Sequence, residues 1–247
     1  MTAPVAALRH RLARELRNVP PGRRQRQQVA LDAIESHTAG RDEVRLLDAG
    51  SEEGLLCLEL ARRHPTWQLI AADIAAEPLR RGREWAQAEQ LPMHHVRCDL
   101  QLPVCESKYD VAVALESLVE IPDDRAAMGS IAVALRPGGL FIAQVPTADW
   151  TPVLRGSERS WRREARHGYE TAEVTTLLDE LGLDVQSVRP TFRRTVALAQ
   201  DVRDRCKRRG RLAQLALLPL MITAVAAERS GLTWGPARAL FVVAVKR

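Results

Sequence analysis

The stretch Val44–Gly54, reading Val-Arg-Leu-Leu-Asp-Ala-Gly-Ser-Glu-Glu-Gly, constrains the fold more than any other part of the chain. An apolar run ends in Asp48, passes through a glycine-bearing turn, and enters helical spacing over Glu53–His64. That order predicts a strand, a tight turn and a helix, with glycines that let the backbone approach a ligand closely. A second apolar strand, Gln68–Ala72, ends in Asp73. It lies about twenty residues past the turn, where an acidic side chain can take the ribose hydroxyls of a nucleotide-like ligand.

The alternation continues. Further strands are predicted at Met93–Arg97, Val111–Ala114 and Leu140–Val145, separated by helical spacing, and their near-continuous apolar character fits strands covered on both faces. Arg136-Pro137-Gly138-Gly139 reads as the turn into the fifth strand. A helix is expected over Thr171–Leu181, stopped at Gly182, with strands at Asp184–Arg189 and Leu240–Val245. Upstream, Ala3–Arg17 has helical spacing, Asn18–Gly22 breaks it, and a second helix is expected over Arg23–Ser36. Its basic start, Arg23-Arg24-Gln25-Arg26, reads as a solvated helix end.

Five segments in this order resemble the motifs of class I S-adenosylmethionine-dependent methyltransferases. They are Asp48–Gly54, Ala72-Asp73-Ile74, Arg97-Cys98-Asp99-Leu100, Tyr109–Ala114 and Leu135–Leu140. The similarity runs from Val44 to Pro146 and continues more weakly to the last strand. It implies a Rossmann-like, doubly wound α/β fold with a seven-stranded sheet, mostly parallel, whose last strand is antiparallel between the fifth and sixth. It also implies one domain over 1–247, with an N-terminal helical cap (1–40), a cofactor-binding core (44–146) and a helical insertion (196–236). The implied cofactor is S-adenosyl-L-methionine. Asp48, Ala49, Gly50, Ser51 and Gly54 would hold its methionine end, Asp73 and Ile74 its ribose, and Asp99 and Leu100 its adenine. Leu115 and Glu116 would face both cofactor and acceptor. On this reading Asp73→Ala should weaken cofactor binding and leave the stability of the free protein nearly unchanged.

Two positions depart from the family pattern. Glu52 stands where the family usually has a second glycine. Its side chain either turns outward, grips the cofactor's amino group, or weakens the site. Glu120 stands where many small-molecule relatives carry a histidine, so a carboxylate replaces one possible base. His167 and Tyr169, before the Thr171 helix, are further candidates for acceptor chemistry, because relatives place a similar loop at the pocket entrance. His94 and His95 are adjacent on a strand and point to opposite faces, so no metal pair forms there.

Of 247 residues, 46% are hydrophobic, which suits an ordinary globular domain with a substantial core. The net charge of +5 is spread among acidic residues, and aromatics are 4% of the chain, so little basic-aromatic interleaving is available for nucleic acid. The four cysteines have neither zinc spacing nor a disulfide framework, and no secretion signal is evident, so a cytoplasmic location is expected. These features favour methyl transfer to a small organic acceptor on an oxygen, nitrogen or carbon atom. The alternatives are an RNA or protein methyltransferase, and a cofactor-binding protein without transfer activity. The apolar run Leu212–Ala227 is expected to be buried, to make the acceptor side apolar, or to dock on a membrane surface together with the basic segment from Arg203 to Arg211.

Overall fold

The computed structural model describes residues 21–103, 108–154, 165–206, 213 and 216–247. The helix expected over Ala3–Arg17 lies outside them, as does most of the charged segment after Cys206. The described chain runs α1 (Pro21–His37), β1 (Arg45–Ala49), α2 (Leu55–Arg63), β2 (Gln68–Asp73), α3 (Ala76–Ala88), β3 (Met93–Arg97) and β4 (Tyr109–Leu115). A single 3₁₀ turn (Leu118–Glu120) follows, then α4 (Asp124–Ala134), β5 (Leu135–Pro146), α5 (Thr171–Glu180), β6 (Leu183–Thr191), α6 (Arg194–Cys206), α7 (Leu218–Arg229) and β7 (Ala239–Lys246).

The seven strands form one sheet in the order β3-β2-β1-β4-β5-β7-β6. β1 pairs in parallel with β2 and with β4, and β4 pairs in parallel with β5. β7 is antiparallel to both its neighbours. The strand order reverses between β1 and β4, so the carboxyl ends of these two strands open a crevice where ligands bind in sheets of this kind. One difference from the sequence reading is that β5 begins at Leu135, so the expected Arg136–Gly139 turn is drawn into the strand. The register against β4 shifts there, between Tyr109 and Val111.

Core residues cover the sheet on both faces. Leu47, Ala112, Phe141 and Val242 belong to one layer, with Met128 and Ile131 of α4 and Leu178 of α5. Leu46, Leu69, Val113 and Ile142 belong to the other, with Ala30, Leu31 and Ile34 of α1 and Leu60 of α2. α1 is therefore anchored in the core through its second half, and its first half overhangs the crevice.

The excursion between β6 and β7 forms α6 and α7, which pack on each other through Val196, Ala199, Ala224 and Val225. Met221 is buried as well, while Leu220 and Ile222 are exposed, as are Leu232 and Trp234 in the loop that follows. Among the described residues no helix is long and apolar enough to cross a membrane.

Candidate active site

A cavity of about 450 Å³ lies over the carboxyl ends of β1, β2, β3 and β4. The turn after β1 shapes its floor. Gly50 has a φ of +76°, and a Cβ added there would sit 2.2 Å from the Cβ of Ser117, so this position requires glycine. The Ser117 hydroxyl donates to the Ala49 carbonyl at 2.9 Å, which ties the end of β1 to the loop after β4. The Gly50 and Ser51 amides both donate to the Ala72 carbonyl, at 2.8 and 3.0 Å.

The residues expected to hold the cofactor converge here. Asp48, Gly50, Ser51, Asp73, Ile74, Asp99, Leu100, Leu115 and Glu116 all line the cavity. Ala49 and Gly54 do not: Ala49 is fully buried in the strand, and Gly54 precedes α2 in a left-handed conformation. Asp73 accepts hydrogen bonds from the Glu52 amide on Oδ2 and the Ala75 amide on Oδ1, both at 2.8 Å. It thus closes the turn as well as facing the cavity. Asp99 accepts from the Gln101 amide at 3.0 Å, and Gln101 holds its carboxyl below the usual range through backbone and side-chain bonds. Ile74, 59% exposed, offers an apolar face beside Cys98 and Leu100.

Asp48 is 5% exposed, and burial together with the nearby Asp73 carboxylate pushes its pKa up to about 7, against the pull of Arg26. A carboxyl whose folded pKa is raised adds stability that is lost as pH rises, here from about 4 to 7. Binding of a cationic ammonium has the opposite preference, because it needs the ionised form. Affinity for S-adenosylhomocysteine is therefore expected to rise between pH 5 and 7 by up to about tenfold per unit and then level off. Titrations across that range check this, with Asp48→Asn as the control that flattens the profile.

Sequence reasoning expected a helical cap and an insertion on the acceptor side, but did not name the residues that form the roof and the far wall. The first turns of α1 bring Gly22, Arg23, Arg26 and Gln27 over the cavity. Arg23-Arg24-Gln25-Arg26 is accordingly no solvated helix end: Gln25 is buried, and Arg23 and Arg26 are half-buried. The available signal was spacing, since positions 23, 26, 30 and 34 continue the apolar stripe of Ala30 and Ile34 along one helix face. Burial lowers the pKa of the Arg26 guanidinium, with Glu116 opposing, and no hydrogen-bond partner faces it among the described residues.

The far wall is built by Trp150 and Pro152 after β5, Phe192 after β6, Gln200, Asp201, Arg203 and Asp204 of α6, and Arg238 at the start of β7. Arg238 and Asp201, both buried, form a bidentate pair at 2.9 Å for each bond. Asp201 Oδ2 also accepts from the Val153 and Leu154 amides at 2.7 and 3.0 Å. The Arg238 guanidinium lies 4.9 Å from the centre of the Trp150 ring. Phe192 has a φ of +57°, and the Glu228 carboxylate of α7 holds this turn through the Phe192 and Arg193 amides, at 2.6 and 2.9 Å.

The excursion therefore walls the cavity with a polar face, contrary to the apolar lining expected of it. The apolar sides of α6 and α7 are spent on each other, and no residue of α7 reaches the cavity.

Glu120 lines the cavity, but His167 and Tyr169 do not. Tyr169 is buried, and its hydroxyl donates to Asp124 at 2.6 Å under the Arg166 guanidinium. The backbone bridge between Thr147 and Tyr169 turns that ring into the protein interior, and His167 is exposed beside it. Glu52 lies at the rim of the cavity: its side chain is 56% exposed and pairs with Arg23 of the roof.

The residues present fit the cofactor that the resemblance implies. Arg26 is a half-buried cation without a hydrogen-bonded anion among the described residues, and the buried Ser51 hydroxyl has no partner in the floor. Asp48 and Asp73 supply the carboxylates, and Ile74 and Leu100 the apolar faces.

The sheet and the carboxylates gathered at its strand ends form a candidate nucleotide-type cofactor site. A family model described as a methyltransferase domain matches residues 5–188, so the chain belongs to the methyltransferase-domain family, and with it to the class I S-adenosylmethionine-dependent methyltransferases. Its curated relatives include a ubiquinone biosynthesis O-methyltransferase of Aeromonas salmonicida, 31% identical over 120 residues, covering 47% of this chain and 50% of that protein. Another, of Idiomarina loihiensis, is 32% identical over 113 residues, covering 45% and 46%. The matched part spans about half the length of these relatives. Among solved structures, phosphoethanolamine N-methyltransferase 2 of Haemonchus contortus in complex with S-adenosyl-L-methionine superposes with a TM-score of 0.64 at 15% identity, covering 87% of this chain and 51% of that one. That likeness shows the fold.

Proposed function

We propose that the protein transfers the methyl group of S-adenosyl-L-methionine to a small organic acceptor, with a hydroxyl oxygen as the methylated atom. The observation that carries this reading is one continuous cavity. It runs from the nucleotide-type carboxylates Asp73 and Asp99 to the wall of Trp150, Phe192 and α6, with the buried Glu116 carboxylate between. The cofactor supplies an electrophilic methyl on a sulfonium. The protein's task is alignment and exclusion of water. α1 and α6 roof the cavity, which suits a molecule that fits inside it better than a site carried on RNA or a folded protein. The O-methyltransferase names of the curated relatives support an oxygen acceptor.

Glu116 is the group placed to orient that oxygen and take its proton. It is 8% exposed and has a φ of +66°, a strained value for a side-chain-bearing residue. Its Oε1 accepts from the Gln144 amide nitrogen at 3.1 Å, and its backbone N–H donates to the Gln144 carbonyl at 2.8 Å, which fixes the carboxylate's direction. Glu116→Gln keeps the shape and removes the base.

Methyl transfer from labelled S-adenosylmethionine, measured over a panel of phenols, catechols and aliphatic alcohols, tests the proposal. Turnover of at least one hydroxyl acceptor is expected, with a loss of about 100-fold in the Glu116→Gln variant, as for removal of a general base. Transfer confined to amines, or to RNA and protein, would overturn it.

A further inference from the structure

Glu52 holds a backbone conformation that favours glycine. Its φ is +51°, the left-handed region in which a side chain is strained. The backbone there is held by one bond, from the Glu52 amide to Asp73 Oδ2 at 2.8 Å, and glycine would serve that bond equally well. The carboxylate is therefore what glutamate adds, and among the described residues it pairs with the guanidinium of Arg23.

Arg23 is the centre of a short chain of charges. Its side chain is 16% exposed and lies between two carboxylates, pairing directly with Glu52 and lying 3.7 Å from Glu53. Glu53 is buried and pairs in turn with Arg81 of α3 at 2.8 Å. The sequence Arg81–Glu53–Arg23–Glu52 thus runs from the outer helix layer, through the ligand turn, to the first turn of α1.

That first turn forms the roof. Gly22, Arg23, Arg26 and Gln27 line the cavity, while Ala30, Leu31 and Ile34 of the same helix are fixed in the core. Gly22 lies directly under Phe192, since a Cβ there would meet the ring at 2.9 Å. Apolar packing thus anchors the second half of α1. Its first half closes over the cavity through the Arg23 pairs, the Phe192 contact and a 3.3 Å bond from Gln25 to Glu228.

We propose that Glu52 is a positioning residue, a latch that holds the first turns of α1 closed over the cofactor, so that opening of the Arg23–Glu52 pair governs cofactor release. The half of this inference that concerns the cofactor rests on the methyl-transfer reading; the half that concerns the helix does not. The strained turn is what places the carboxylate under Arg23. A glycine relaxes the turn and frees the roof.

The test compares the parent protein with Glu52→Gln, Glu52→Gly, Arg23→Gln and the double variant Glu52→Gln/Arg23→Gln. Hydrogen exchange is read on the ligand-free proteins at the amides of Gln25 to Val29, and dissociation of S-adenosylhomocysteine is read by stopped flow. Each single variant is expected to speed both exchange and dissociation about tenfold, the effect of losing one charge-assisted bond. The double variant should do no more than the singles, because both remove the same pair. Glu52→Gly should melt no lower than Glu52→Gln, since relief of the left-handed strain offsets the lost contact. Parent-like exchange at these amides in Glu52→Gln would overturn the latch, and so would an unchanged dissociation rate. Faster exchange in the variants, alongside a parent that fails to bind S-adenosylhomocysteine, would retain the latch and remove the cofactor reading instead.

Discussion

Asp201→Ala is expected to cost the folded protein about 3–5 kcal/mol, the usual penalty for leaving one partner of a buried ion pair without the other. Three elements depend on this carboxylate. It neutralises Arg238 at the start of β7 and receives the Val153 and Leu154 amides of the loop after β5, and it stands on α6. Arg238 is 7% exposed and would keep its charge in a buried setting. Trp150, stacked over the same guanidinium, would lose its support, so the far wall of the cavity loosens together with the fold. Urea unfolding measures the loss. The double variant Asp201→Leu/Arg238→Met should recover much of it, because two apolar groups of similar size need no partners. A loss below about 1 kcal/mol for Asp201→Ala would mean that the pair is solvated.

Asp73→Ala should weaken binding of S-adenosylhomocysteine by about 2–4 kcal/mol, as for two hydrogen bonds to a charged acceptor. The sequence alone led to the further expectation that stability without cofactor would barely change. The structure corrects this. Both carboxylate oxygens already receive backbone amides, from Glu52 and from Ala75. Removing them frees a strained left-handed residue and the N–H that opens α3, so the ligand-free protein should also lose about 1–2 kcal/mol. Calorimetric titration reads the first effect and thermal unfolding the second. Loss of affinity with an unchanged melting temperature would show that the two amides find other partners.

The half of the cavity at the strand ends was legible because its residues lie close together along the chain. Asp48 and the Gly50 turn sit at the end of β1, and Asp73 at the end of the strand beside it. Strand, turn and helix follow one another in sequence there, so period and glycine placement suffice to put the carboxylates over the sheet. The last strand's antiparallel place between the fifth and sixth followed from the resemblance in the same way, and the pairing of β7 with β5 and β6 bears it out.

The other half of the cavity was legible only as a helical insertion, and not in its residues, because it is assembled from segments far apart in sequence. Gly22 and Phe192 touch across the cavity roof, Asp201 and Arg238 across its wall, and Glu228 reaches the Phe192 turn from α7. Such contacts depend on how helices pack, which periodicity does not specify. The apolar run before Arg229 illustrates this. Its composition pointed to an apolar pocket, yet among its described residues Ala224 and Val225 face α6 while Leu220 and Ile222 are exposed. Tyr169 is a second case, since its place in a loop before a helix suggested the pocket entrance. One backbone bridge to Thr147 instead turns it towards Asp124. Arg26 was overlooked because a basic residue near a helix start is ordinarily solvated, and only the crossing of α1 over the β1 turn brings it to the cavity.

The central claim is that the cavity over Asp48, Asp73 and Asp99 holds S-adenosylmethionine beneath the first turns of α1. Calorimetric titration of the protein at pH 7.5 with S-adenosylmethionine and with S-adenosylhomocysteine tests it most directly. The account predicts saturable one-to-one binding of both, weakened by Asp73→Ala and lost in Gly50→Ala, whose added Cβ collides with Ser117. Absence of binding by either ligand to the parent protein, or equal affinity in the parent and both variants, would contradict it.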